Sequence, residues 1–151
     1  MPVITIYTDG SCHTQLLIGT WAAIVLIEDK KIILKGREFN TTHNRMELFA
    51  VIRAVEFLEE LKLTHQKIVI CSDSQYVVNL SGRMEKLEKN SFMTKAGKVL
   101  QNTDLLRRLI KQMKSYNLNF TKIKAHQKGG DAFNKEADLI VRNLLRENIV
   151  Q

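Results

Sequence analysis

The segment Lys67-Ile68-Val69-Ile70-Cys71 constrains the fold of this chain more than any other feature. It is short, apolar and rich in β-branched residues, with no polar alternation after Lys67. A strand of this kind is covered on both faces, so helices are expected on both sides of a sheet. A second run, Val3-Ile4-Thr5-Ile6-Tyr7-Thr8, also reads as a strand. Both runs lead into an acid: Asp9-Gly10-Ser11 follows Thr8, and Asp73-Ser74 follows Ser72. In α/β sheets, sites form at the carboxyl ends of strands. Taken singly, each aspartate is an ordinary turn or helix-cap residue. The matched pair points further, to two carboxylates that converge if the strands are neighbours.

The rest of the chain completes an α/β pattern. Thr20–Ile27 and Ile32–Phe39 read as two more strands, joined by the polar turn Glu28–Lys31 into an antiparallel meander with the first. Met46–Leu61 is predicted to be a helix, because Leu48, Val51, Ile52, Val55 and Leu58 repeat at helical spacing. A short helix is expected at Ser74–Leu80, then a basic, partly helical stretch at Arg83–Leu100. A helix over Asp104–Ser115 turns Leu105, Leu106, Leu109, Ile110 and Met113 inward. Leu118–Lys124 reads as the fifth strand, Gly129-Gly130 marks a loop, and Asp131–Glu147 reads as the last helix. The expected fold is a five-stranded mixed sheet, an antiparallel meander plus two parallel strands, with helices packed on it. At 151 residues, residues 1–151 suit one domain.

Composition excludes several classes. With 44% hydrophobic and 26% charged residues, the chain is not a disordered polyelectrolyte. Its longest uncharged apolar stretch, Leu16–Ile27, is too short to span a membrane. No secretory leader is visible, and Cys12 and Cys71 make no disulfide framework. A reducing, cytoplasmic setting without a membrane partner is the expectation. The net charge of +7 is unevenly spread. Leu105–Lys128 holds no acid but carries Arg107, Arg108, Lys111, Lys114, Lys122, Lys124 and Lys128. A second basic run supplies Arg83, Lys86, Lys89, Lys95 and Lys98. Charge runs are often just solvated surface, but a span this free of acids favours a polyanionic partner.

Two further acids stand out. Glu47 falls in the first turn of a predicted apolar helix, where it also suits the helix dipole. Asp138 lies mid-helix, where aspartate is a poor fit, so a salt bridge to Arg142 or a metal is expected to compensate. Without metal, four carboxylates gathered together would repel one another and shift their own pKa values. Hard divalent cations prefer oxygen ligands. Two such ions about 3.5–4 Å apart can clamp an in-line phosphoryl displacement.

At these residues the chain resembles type 1 ribonuclease H of the bacterial kind. Thr41-Thr42-His43-Asn44-Arg45-Met46-Glu47 and Asp73-Ser74-Gln75-Tyr76-Val77 are similar to that family's central motifs. Asp9-Gly10-Ser11-Cys12 with Trp21 is similar to its first motif, and Lys124-Ala125-His126 with Asn134 and Asp138 to its last. The resemblance spans about Val3 to Arg146. It implies an endonuclease that cuts the RNA strand of RNA–DNA hybrids, leaving 5′-phosphate and 3′-hydroxyl ends. Asp9, Glu47, Asp73 and Asp138 would hold two Mg²⁺ ions, with Mn²⁺ an alternative. His126 would assist proton transfer or product release. Cys12 would lie near the RNA, Asn44 and Gln75 would read the minor groove, and Thr42 and Asn102 would hold a DNA-strand phosphate. The run Arg83–Lys98 matches a substrate-binding protrusion, and the protein is expected to act as a monomer.

The chain departs from the family at His13–Thr20, which replaces a glycine- and proline-rich loop. That segment either extends the hairpin or forms an exposed apolar patch. It leaves double-stranded RNA open as a further substrate. Two other readings compete: an integrase-like core, and a hybrid-binding module without catalysis. The motif spacing argues against the first. Four retained acids beside a polyanion argue against the second.

Overall fold

The computed structural model describes residues 2–124 and 132–149. Five strands form one sheet in the order β3-β2-β1-β4-β5. β1 (Val3–His13), β2 (Ile18–Ile27) and β3 (Lys30–Phe39) form the antiparallel meander. β4 (Lys67–Ser72) lies parallel to β1, and β5 (Leu118–Lys122) parallel to β4. The helices are α1 (His43–Glu60), α2 (Gln75–Val78), α3 (Leu80–Lys89), α4 (Thr103–Ser115) and α5 (Ala132–Ile149).

Strand alternation divides the core. On one face Ile4, Ile6, Ile68 and Ile70 pack under the apolar side of α1, where Leu48, Val51, Ile52, Val55 and Leu58 are fully buried, and under Leu105, Leu106 and Leu109 of α4. On the other face Tyr7, Ile24, Val69 and Cys71 pack against Phe133, Ala137 and Ile140 of α5. The Lys67–Cys71 run is thus covered on both sides. Truncating Ile52 or Leu58 to alanine would cost about 2–5 kcal/mol.

Several boundaries differ from expectation, β1 running on to His13 and β2 beginning at Ile18 among them. α1 begins at His43 and not Met46, because the Thr42 hydroxyl accepts from the Arg45 N–H at 3.2 Å and caps the helix one turn earlier. β3 begins at Lys30, since the β2–β3 turn is only Glu28-Asp29, with Glu28 at positive φ. β5 ends at Lys122. The basic stretch contains a further helix, α3, anchored by buried Leu80 and Leu87. Beyond it, Phe92 is buried under Arg107, whose guanidinium lies 4.3 Å from the ring centroid.

The segment His13–Thr20 extends the hairpin: Cys12 pairs with Gly19, and His13 with Ile18. Its tip carries exposed Leu16 and Leu17. Leu17 takes the left-handed φ of 55° that a glycine would accept more easily. Its N–H donates to His13 O at 2.8 Å, and its carbonyl accepts from the Thr41 N–H at 3.1 Å.

Candidate active site

The register of β1 and β4 determines where the site lies. Tyr7 is opposite Cys71, so Asp9 and Asp73, two residues further on, emerge side by side at the same end of the sheet. α1 brings in Glu47, which is one full turn inside the helix, so the helix-dipole account of this acid weakens. Gly10 makes the approach possible. A Cβ there would lie 2.7 Å from the backbone of both Met46 and Glu47. Without one, α1 rests directly on β1, and the Gly10 N–H donates to Asp9 Oδ1 at 2.9 Å and to Glu47 Oε1 at 3.1 Å.

One carboxylate oxygen from each of Asp9, Glu47 and Asp73 lies within 4.8 Å of the others. Asp9 is 5% and Glu47 1% exposed. Burial, then the Asp73 charge, pushes Asp9 up to about 7. Burial, then the charges of Asp9 and Asp73, pushes Glu47 up to about 9. A side-chain hydrogen bond between the two lowers Asp9 and raises Glu47. Glu47 Oε2 is buried without a hydrogen-bond partner, a costly arrangement for a carboxylate oxygen. An all-oxygen donor set with an unpartnered buried oxygen and mutual repulsion fits a hard divalent cation.

Asp138 stands apart from this tight group. α5 is locked to the sheet by the Thr20 hydroxyl, which donates to Val141 O at 2.8 Å. Asp138 sits one turn earlier, close enough for its charge to push Asp9 upward. Its carboxylate meets Arg142 at 2.9 Å, the expected salt bridge. His126 lies outside the described residues.

The sequence-predicted contact residues surround the cluster. Asn44 is exposed on the first turn of α1, and Gln75 opens α2, two residues after Asp73. The Gln75 amide donates to Asn79 Oδ1 at 2.6 Å. Cys12 is partly buried, its thiol 3.5 Å from Thr41 O, and burial raises its pKa. Thr42 and Asn102 are brought together through Arg45. The Arg45 N–H donates to Thr42, and its guanidinium lies 3.5 Å from Asn102 Oδ1. Asn102, at φ 65°, also donates to the Tyr76 hydroxyl at 3.3 Å. Asp104 clamps Arg45 with two bonds of 2.9 Å. The Arg45 guanidinium holds the Asp104 carboxyl down at about 2. Arg83, Lys86 and Lys89 project from α3, while Lys95 and Lys98 lie on the following loop, all exposed.

Three residues near the site are not singled out by the sequence. His43 lies on the turn of α1 before Glu47, with Nε2 3.5 Å from Glu47 Oε1. Lys122 is opposite Ser72 in the β4–β5 ladder, and its ammonium donates to the backbone carbonyl of Asp73. Asp104 fixes Arg45. The i,i+4 spacing of His43 and Glu47 is legible in the sequence only once the helix is known to begin at His43.

Residues 1–146 match the family model for RNase H. The chain belongs to the ribonuclease H family. A ribonuclease H of Caldicellulosiruptor saccharolyticus is 36% identical over 149 residues, covering 97% of this chain and 99% of that protein. A ribonuclease H of a Bradyrhizobium species is 38% identical over 144 residues, covering 95% and 90%. The fold is shared with LC9-RNase H1, described as a type 1 RNase H with the type 2 active-site motif. The match has a TM-score of 0.80 and 22% identity, covering 95% of this chain and 72% of that one. Family membership makes the protein a metal-dependent hydrolase acting on the RNA strand of RNA–DNA hybrids. It sets aside the integrase-like and purely binding readings. No described helix is long and apolar enough to cross a membrane.

Proposed function

We propose that this ribonuclease H cuts RNA with two divalent ions, Mg²⁺ or Mn²⁺, held by Asp9, Glu47, Asp73 and Asp138, leaving 5′-phosphate and 3′-hydroxyl ends. The observation that carries this reading is the buried group of Asp9, Glu47 and Asp73 with its unpartnered Glu47 Oε2. Bound there, the ions supply Lewis-acid polarisation of the scissile phosphate and a lowered pKa for the attacking water.

The chain's own residues prepare the site for that chemistry. Asp9 and Glu47 would have to be deprotonated to hold a cation, which would couple loading to pH. The Gly10 N–H keeps both carboxylates oriented before loading. Lys122 holds the backbone of Asp73 just past the end of β4. His126 assists proton transfer or product release. Cys12, Asn44 and Gln75 contact the hybrid beside the cluster, and the minor-groove 2′-hydroxyls identify the RNA strand. Thr42 and Asn102 hold a DNA-strand phosphate. Arg83, Lys86, Lys89, Lys95 and Lys98 add salt-dependent affinity. The protein is proposed to act as a single-domain monomer in the cytoplasm.

The ends of the cleavage products test the mechanism. Attack by water gives 5′-phosphate fragments that a 5′-phosphate-dependent exonuclease degrades, and 3′-hydroxyls that a polymerase extends. Cyclic 2′,3′-phosphate ends would mean that the neighbouring 2′-hydroxyl attacks, and would overturn it.

A further inference from the structure

His43 and Glu47 stand too far apart for a hydrogen bond but within reach of an ion pair or of a shared cation. Both sit on one face of α1, one turn apart. His43 Nε2 is 3.5 Å from Glu47 Oε1, beyond the usual 2.7–3.2 Å of an N–H···O bond. Ligand atoms bound to one divalent ion at about 2.0–2.2 Å, at angles near 90–110°, lie about 3.0–3.5 Å apart. The His43–Glu47 separation falls in that range. Glu47 has acceptor capacity to spare: Oε1 accepts from the Gly10 N–H, while Oε2 is buried and unpartnered. A carboxylate offers about four lone-pair sites. His43 is largely exposed, with 61% of its side chain accessible, so its ring can turn toward an ion without repacking the core.

We infer that His43 is a nitrogen ligand to a divalent ion shared with Glu47, and that it shifts the preference of the acidic centre from Mg²⁺ toward first-row transition ions, Mn²⁺ among them. The inference rests on the reading of Asp9, Glu47 and Asp73 as a metal centre, and adds a ligand of a different chemical class. Oxygen-only sites suit Mg²⁺, whereas imidazole is a ligand of first-row transition ions. A histidine placed i,i+4 from a carboxylate gives the ion two donors on one rigid helix face, with little ordering cost.

Pulsed EPR of the protein loaded with Mn²⁺ alone tests the assignment. The expected spectrum shows nitrogen coupling that persists in His126→Ala and disappears in His43→Ala. Calorimetry is expected to show Mn²⁺ affinity falling about tenfold in His43→Ala, while Mg²⁺ affinity stays within about twofold. Bound Mn²⁺ without nitrogen coupling, or coupling that survives in His43→Ala, would overturn the inference and leave the acidic centre standing. Equal Mn²⁺ binding by wild type and Asp9→Asn would overturn the metal centre and this inference together.

Discussion

The backbone N–H of Gly10 donates to Glu47 Oε1 at 3.1 Å, across a contact of β1 and α1 that leaves no room for a side chain. Gly10→Ala puts a methyl group 2.7 Å from the helix backbone at Met46 and Glu47, which cannot yield as a flexible side chain would. The helix must move. The expected cost is about 1–3 kcal/mol of stability, and hydrolysis falls by at least about a hundredfold, since a shift near 1 Å is enough for that. Thermal melts and hybrid-cleavage rates check both. Wild-type activity in Gly10→Ala would show that the strand–helix contact does not set the site.

The carboxyls of Asp9 and Glu47 bind protons more tightly in the folded chain than in the unfolded one. Their ordinary values of 3.8 and 4.5 rise to about 7 and about 9. Folding is therefore favoured below about pH 4, and that advantage is lost as pH rises through 7 and then toward 9. Asp73 and Asp138 face Asp9, and His43 faces Glu47, so the metal-free cluster is most strained in alkali. With chelator present, Asp9→Asn should be more stable than wild type by a margin that grows between about pH 4 and 7, reaching about 2–4 kcal/mol. Saturating Mg²⁺ should flatten the wild-type slope. A metal-free melting profile independent of pH would contradict the burial of charge argued for this pair.

Lys122 acts on Asp73 through the backbone. Asp9 is paired within β1 and Glu47 is fixed within α1, whereas Asp73 lies beyond the last residue of β4. Lys122→Met keeps the length of the side chain but loses the donor. Metal affinity and kcat are both expected to fall several-fold, with Lys122→Arg restoring most of each. If Lys122→Met changes only the salt dependence of hybrid binding, the lysine is a phosphate contact and not a positioning residue.

Arg45, itself partly buried, is held by the exposed Asp104. Such ion pairs contribute at most about 1 kcal/mol to stability, so Asp104→Ala should barely change the melting temperature. It should instead raise KM for the hybrid several-fold at constant kcat, because Arg45 no longer braces Asn102 and Thr42. A fall in kcat with KM unchanged would argue that this network serves the chemistry and not the grip on substrate.

The sequence makes most of the core and the acidic cluster legible, for a physical reason. Asp9 and Asp73 end runs whose apolar character demands a covered sheet, and parallel neighbours necessarily place their ends together. What it hides depends on exact boundaries. Apolar periodicity starts α1 at Met46, and only the Thr42 cap moves the start to His43, which puts His43 on the same face as Glu47. α3 is obscured because Leu80, Met84 and Leu87 keep helical spacing within a stretch dominated by charge. The strained turn at Leu17 is held by bonds to His13 and Thr41, and Thr41 lies 24 residues away in the chain, beyond any local propensity.

Cleavage of end-labelled RNA presented as a hybrid with DNA, as a duplex with RNA and as a single strand tests the central claim most directly. Each is run with Mg²⁺, with chelator, and with the Asp73→Asn variant. Cutting that needs metal, is confined to the hybrid and disappears in Asp73→Asn is the predicted result. Cutting that persists in chelator or in Asp73→Asn would contradict the assignment of chemistry to this cluster of carboxylates.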